Sequence, residues 1–208
     1  MNSDLSLKEL KDIEKNIIKG IFLKDNFANA NTLVAFDIAY REKTCKCFAV
    51  VMDINTLKEI EIKSIENKET IPYSPKLSAF REGPAIIEAY RSLQAKPDIL
   101  LVKGNGAVSK NSVGLASYVG VLLNKPCIGV SKEVQFFRLD EDRIISDNEV
   151  KGIAIKTKEF ANPIYISPGH NISIETSVNI VKKLVVQGCK LPLPLHLAHK
   201  YVNKFKKK

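Results

Sequence analysis

The run TLVAFDIAY at residues 32–40 constrains the fold more than any other stretch of the chain. It is apolar apart from one carboxylate, Asp37, and a weakly polar start and end. A short run of this kind reads as a strand covered on both faces or nearly so. Such a strand needs a layer packed above it and another below. Two more runs follow at hairpin spacing, CFAVVMD at 47–53 and LKEIEIKSI at 57–65. The second sets Leu57, Ile60 and Ile62 among charged residues, as a half-exposed strand does.

Downstream the pattern changes. Residues 81–93 read as a helix with Ile86, Ile87, Tyr90 and Leu93 on one face. Residues 98–106 form a buried strand that runs into a Gly-rich turn. A second helix at 112–124 and a second buried strand at 127–131 follow. Then come a polar interval, strands at 152–157 and 163–167, and a helix at 174–186 with Ser173 as N-cap. A last helix begins near Pro194. An amphipathic helix at 5–24 precedes all of this, and residues 71–80, with two prolines, resist regular structure. Hairpin strands followed by alternating β-α-β predict an α/β fold, a mixed central sheet with helices on both faces. That order is compatible with a ribonuclease-H-like core without choosing it over other α/β folds. One domain over 1–208 is expected, with its N-terminal helix within 1–30 and a basic tail at 204–208.

The formal charge of +9 is that of a chain which meets polyanions, because neutralising phosphates drives non-specific affinity. Lys204, Lys206, Lys207 and Lys208 supply part of it, and a merely solubilising tail is the plainer alternative. No stretch reaches the roughly 20 apolar residues that span a bilayer. The charged N-terminus lacks a signal-peptide core, so a cytoplasmic location is expected. Cys45, Cys47, Cys127 and Cys189 are not spaced as a zinc site, which leaves reduced structural thiols as the expectation.

A carboxylate inside a buried strand is costly unless it is paired, hydrogen-bonded or bound to a cation. Asp37 therefore reads as a magnesium ligand or as the cap of a neighbouring backbone turn. One or two carboxylates suffice for magnesium when water and phosphate complete the shell. Glu82 stands at the start of the helix at 81–93, where the helix dipole favours negative charge for structural reasons alone. Pro84 suits that first turn. Arg81 is placed either to contact a phosphate or to pair with Glu82 or Asp37.

Together with PYSPKLSAFREGP (72–84), GNG (104–106), GLASYVGVLLNKPCIGVSK (114–132) and PIYISPGHNISIET (163–176), these segments resemble the endonuclease V family. The resemblance runs over 33–203. It implies a magnesium-dependent enzyme, with manganese as a substitute, that nicks nucleic acid near deaminated bases, above all inosine. By position it makes Asp37 and Glu82 metal ligands. Lys132 becomes a lysine near the scissile phosphate, and His199 a histidine near metal and phosphate. Pro72, Tyr73 and Pro75 match a strand-separating wedge, and Tyr73 is suited to stack on an exposed base. Arg81, Gly104, Gly106 and His170 are further candidates for nucleic-acid contact, with a structural turn as the alternative for His170. The partner is DNA or RNA, no membrane is implied, and a monomer is expected.

The match breaks at one point above all. Where the family strand ends Asp-Gly-His-Gly, this chain has Lys103-Gly104-Asn105-Gly106. Ser109 and Tyr118 stand where two further family histidines fall. Lys76 replaces the glycine of the wedge loop, and Gln135 stands where an apolar residue is usual. Two arrangements are open for Lys103. Its ammonium lies against Asp37 and Glu82 in the cation's place, or it swings outward and a depleted metal site persists. Weakened hydrolysis is the expectation, and a catalytically inactive nucleic-acid-binding homologue is the alternative.

Overall fold

The computed structural model describes residues 6–41, 44–68, 71–72, 74, 77–108, 112–133, 137–146 and 148–206. In chain order the elements are α1 (Leu7–Lys19), β1 (Thr32–Arg41), β2 (Thr44–Asp53), β3 (Glu59–Lys68), α2 (Ser78–Arg91), β4 (Ile99–Lys103) and α3 (Leu115–Leu123). There follow β5 (Cys127–Ser131), β6 (Arg138–Asp140), β7 (Arg143–Ser146), β8 (Glu149–Ile155), β9 (Ile164–His170), α4 (Ile174–Lys183) and α5 (Leu193–Lys206). The strands join in one sheet of order β3-β2-β1-β4-β5-β9-β8-β7-β6. β1 to β3 form an antiparallel meander, β1, β4 and β5 run parallel, and β9 turns antiparallel again. This is the mixed central sheet that the sequence pattern predicts, in an order with which a ribonuclease-H-like core is compatible.

Alternation along β1 explains why both faces must be covered. Val34 and Phe36 enter a core that holds Leu10 and Ile17 of α1, Ile86 of α2 and Val119 of α3. Leu33 and Ala35 enter a second core with Val181 of α4 and Leu195 of α5. Successive strand residues point to opposite faces, so Asp37 faces α5. Phe36 pairs with Val102 across the parallel β1–β4 ladder, which sets Asp37 beside Lys103. Lys103 pairs with Val130 on β5, and Lys132 lies two residues further on the same face. Asp37, from the middle of β1, and Lys103, at the end of β4, thus leave one face of neighbouring parallel strands, with Lys132 just past the end of β5.

Several boundaries differ from the sequence-based expectation, each for a local reason. α1 is shorter than 5–24. Ser6 caps it in a capping box, its side chain accepting from Glu9 N at 3.3 Å while Ser6 N donates to the Glu9 carboxylate at 2.8 Å. Gly20 ends it, donating its N–H to the carbonyls of Asn16 and Ile17. α2 starts three residues before 81, so Glu82 and Pro84 lie inside it and its first turn holds no acid. Proline's usual place in the first turn draws the sequence-based start too far along. β6 and β7 lie in the interval that the sequence shows only as polar, because they are short and charged, with Ile144 their one fully buried side chain. No helix of the described residues is long and apolar enough to cross a membrane. Cys45, Cys47 and Cys127 are buried, and none of them forms a disulfide among the described residues.

Candidate active site

Asp37 is the centre of the charged cluster and is only 6% exposed. Its Oδ1 accepts from the Ile38 N–H at 3.0 Å and from Lys103 Nζ at 3.0 Å. Its Oδ2 faces Lys103 Nζ at 3.1 Å and His199 Nδ1 at 2.7 Å. The bridging ammonium satisfies the cost of the buried carboxylate. His199 reaches it because Leu195, Ala198 and Val202 bury the inner stripe of α5 against the sheet. A cleft of about 270 Å³ runs along the same helix, lined by His196, His199, Lys200, Asn203 and Lys204.

Glu82 meets this cluster from α2. Burial pushes its carboxyl up to about 7; the Arg81 charge opposes that, Asp37 adds to it and Lys103 opposes it. Among the described residues, no hydrogen bond or ion pair joins Glu82 to Asp37 or Lys103. Arg81 lays its guanidinium over the Tyr40 ring at 3.7 Å from the centroid. Lys132 is exposed beyond β5. Its ammonium pKa is lowered by burial of part of the side chain, then by the like charges of Lys103 and Lys190, with Asp37 opposing. Lys190, on the α4–α5 connection, is a member of the cluster that sequence reasoning missed. Thr157 Oγ1 holds its carbonyl at 2.5 Å. One lysine in a lysine-rich chain carries no distinguishing sequence signal.

Other candidates sit elsewhere or serve the fold. Gly104 donates its N–H to the Val130 carbonyl at 3.0 Å, and Gly106 donates to Ser167 Oγ at 2.8 Å. A Cβ on Gly106 would lie 2.3 Å from the Pro168 carbonyl oxygen, so a close backbone approach requires glycine there. His170 ends β9 opposite Cys127, at the far end of β5 from Lys132. It is buried, accepts from the Phe22 N–H at Nδ1 over 3.3 Å, and lies 3.5 Å from Asn124 Oδ1 at Nε2. That geometry is the structural alternative for His170. Tyr118 is fully buried, edge-on to Phe80, and packs where a Gly83 Cβ would stand 2.4 Å from its ring. Pro72 is exposed ahead of α2. Tyr73, Pro75, Lys76, Ser109, Gln135, Lys207 and Lys208 lie outside the described residues.

As they stand, these donors offer a divalent cation the two carboxylates Asp37 and Glu82, with the Lys103 ammonium set against the first. Among the described residues no group of three or more His, Cys, Asp or Glu side chains is placed to hold a metal ion. Both carboxylate oxygens of Asp37 already face an ammonium.

The mixed sheet, with a charged cluster on one face of its parallel strands, defines a ribonuclease-H-like α/β protein. The family model for endonuclease V matches residues 15–200. Endonuclease V of Dictyoglomus thermophilum is 34% identical over 96% of this chain and 91% of its own length. The crystal structure of the Bacillus subtilis family protein superposes with a TM-score of 0.90 at 30% identity, covering 100% of this chain and 95% of that one. Endonuclease V of Ciona intestinalis, in complex with a 24mer DNA containing an inosine followed by a ribo-adenosine, gives a TM-score of 0.85 at 26% identity, covering 97% of each chain. This chain belongs to the endonuclease V family.

Proposed function

We propose that this chain acts on nucleic acid carrying deaminated bases, inosine foremost, and that its phosphodiester hydrolysis is weakened because Lys103 fills the place of a metal-binding aspartate. The family's reaction is magnesium-dependent hydrolysis near the lesion, and the Ciona relative is seen on inosine-containing DNA. One observation carries the reading: Lys103 Nζ bridges both carboxylate oxygens of Asp37. A unit charge pair about 4 Å apart is worth roughly 4 kcal/mol at an effective dielectric near 20, and a divalent ion beside Lys103 meets about twice that as repulsion. An ammonium does not lower the pKa of water as a bound divalent metal does. It does bring a charge and donors to a phosphate.

The remaining residues take roles in binding and orientation. Lys132 and Lys103 face the phosphate backbone. With its Nδ1 on Asp37, His199 has Nε2 left for a phosphate oxygen or a proton. Pro72, Tyr73 and Pro75 serve as the wedge that parts the strands, by resemblance to the family. The partner is DNA or RNA, met by a monomer of one domain over 1–208.

The test is a nicking assay on an inosine-containing oligonucleotide with magnesium or manganese, run beside Lys103→Asp and a metal-competent relative. The unmodified chain is expected to nick far more slowly than the relative, and Lys103→Asp to recover part of the difference. Equal nicking by the unmodified chain and the relative would sink the weakened-site reading. Salt-dependent binding with no nicking at all favours the inactive binding homologue. No affinity for any oligonucleotide at low salt ends the nucleic-acid reading.

A further inference from the structure

Phe160 lies on the loop between β8 and β9 and is 95% exposed, so it buries nothing in this fold. Its φ is +57°, in the left-handed region that bulky side chains rarely adopt. The backbone thus bears strain for a ring that stabilises no part of the core. A strained residue with no packing role points to function.

The loop's position says where that function is exercised. Ser131, the last residue of β5, pairs with Tyr165 of β9. The segment leading into β9 therefore emerges at the same end of the sheet as Lys103 and Lys132. Within the loop, Thr157 is tied to the carbonyl of Lys190, whose charge acts on Lys132. Lys156 and Lys158 are exposed on either side of Thr157. An aromatic ring raised from a lysine-bearing loop, beside a lysine cluster, is the pairing that holds single-stranded nucleic acid: charge tracks the phosphates and the ring stacks on a base. We infer that Phe160 is a base-stacking residue, taking an unpaired nucleobase of a strand whose phosphates lie along Lys156, Lys158 and Lys190. The inference rests on the nucleic-acid reading above and adds to it a contact remote from the Tyr73 wedge in sequence.

The chain contains no tryptophan, so Phe160→Trp installs a single fluorescent reporter at the position in question. Binding of an inosine-containing single-stranded oligonucleotide is followed by anisotropy for the unmodified chain, Phe160→Ala, Phe160→Leu and Phe160→Trp. Stacking on the base is expected to quench the tryptophan. Phe160→Ala and Phe160→Leu are both expected to bind about 5- to 150-fold more weakly, the range one base stack carries. Their melting temperatures are expected to stay unchanged, because the ring is solvent-exposed. If the unmodified chain binds while both variants bind equally well and the tryptophan is unquenched, the inference is overturned. Full rescue by leucine overturns it too, since an apolar contact would then suffice without a ring. Failure of the unmodified chain to bind any oligonucleotide at low salt is the separate outcome that removes the nucleic-acid reading and this inference with it.

Discussion

The Lys103 ammonium lies 3.0 Å from Oδ1 and 3.1 Å from Oδ2 of Asp37, a symmetric bridge across a carboxylate that is almost fully buried. The bridge has a stability consequence apart from any chemistry. A buried charge that loses its partner is left with an uncompensated desolvation cost.

Lys103→Met is therefore expected to destabilise the fold. Removing one member of a fully buried pair costs about 3–5 kcal/mol. Lys103 keeps 31% of its side chain exposed, so water relieves part of that and about 2 kcal/mol remains. For a chain of this size the loss lowers the melting temperature by about 4–8 °C. Adding Asp37→Asn in the same molecule is expected to restore part of it, because no charge is then stranded. Thermal unfolding of the two single variants and the double variant checks this. An unchanged melting temperature for Lys103→Met would show that the bridge does not hold the carboxylate in solution.

Glu82 gives the fold a pH dependence of definite sign. Its carboxyl is raised from the ordinary 4.5 to about 7, by burial first and by Asp37, against Arg81 and Lys103. The folded state thus holds this proton more tightly than the unfolded state. The contribution of the group is fully favourable below about 4.5 and is lost as pH rises toward 7. At about 1.4 kcal/mol per unit, discounted for its partial exposure, the loss comes to about 1–3 kcal/mol. Glu82→Gln is expected to flatten stability across that interval. Urea midpoints taken at pH values below, within and above it decide the matter; parallel profiles for the two proteins would count against the raised carboxyl.

What could be read from the sequence follows physical scale. Burial of β1 on both faces is written in a run of apolar residues, and Ser173, a side-chain oxygen before an apolar stripe, marks the start of α4 correctly. The proximity of Asp37 and Lys103 was legible, as one of two arrangements, through the family resemblance, which sets Lys103 where a metal-binding aspartate stands. Register across β1 and β4 selects the arrangement, and register is a long-range property that no local pattern encodes. The start of α2 was hidden by prolines, whose local preference the tertiary packing of Ala79 and Phe80 overrides. Lys190 was invisible because its place in the cluster depends on how the α4–α5 connection lies over the sheet. Phe160 was equally silent, since exposure on a loop leaves no periodic trace.

Lys190 supplies the last prediction, because its charge reaches the cluster without contacting Asp37. Lys103 and Lys190 both bring their charge to Lys132, while Asp37 is committed to Lys103. A phosphate entering there releases counterions, and each phosphate neutralised by a lysine steepens the salt dependence of binding. Lys190→Gln is expected to weaken oligonucleotide binding at low salt and to make the slope of log affinity against log salt shallower by about one. Lys132 should at the same time titrate closer to its ordinary value, since one of the two like charges depressing it is gone. Lys8, exposed on α1 across the sheet, is the control, and Lys8→Gln is expected to leave slope and affinity nearly unchanged. The salt series by anisotropy and the Lys132 titration by carbon-13 NMR are independent readings of the same placement. A slope that shifts equally for Lys8→Gln and Lys190→Gln would mean that overall charge, and not this cluster, governs the affinity.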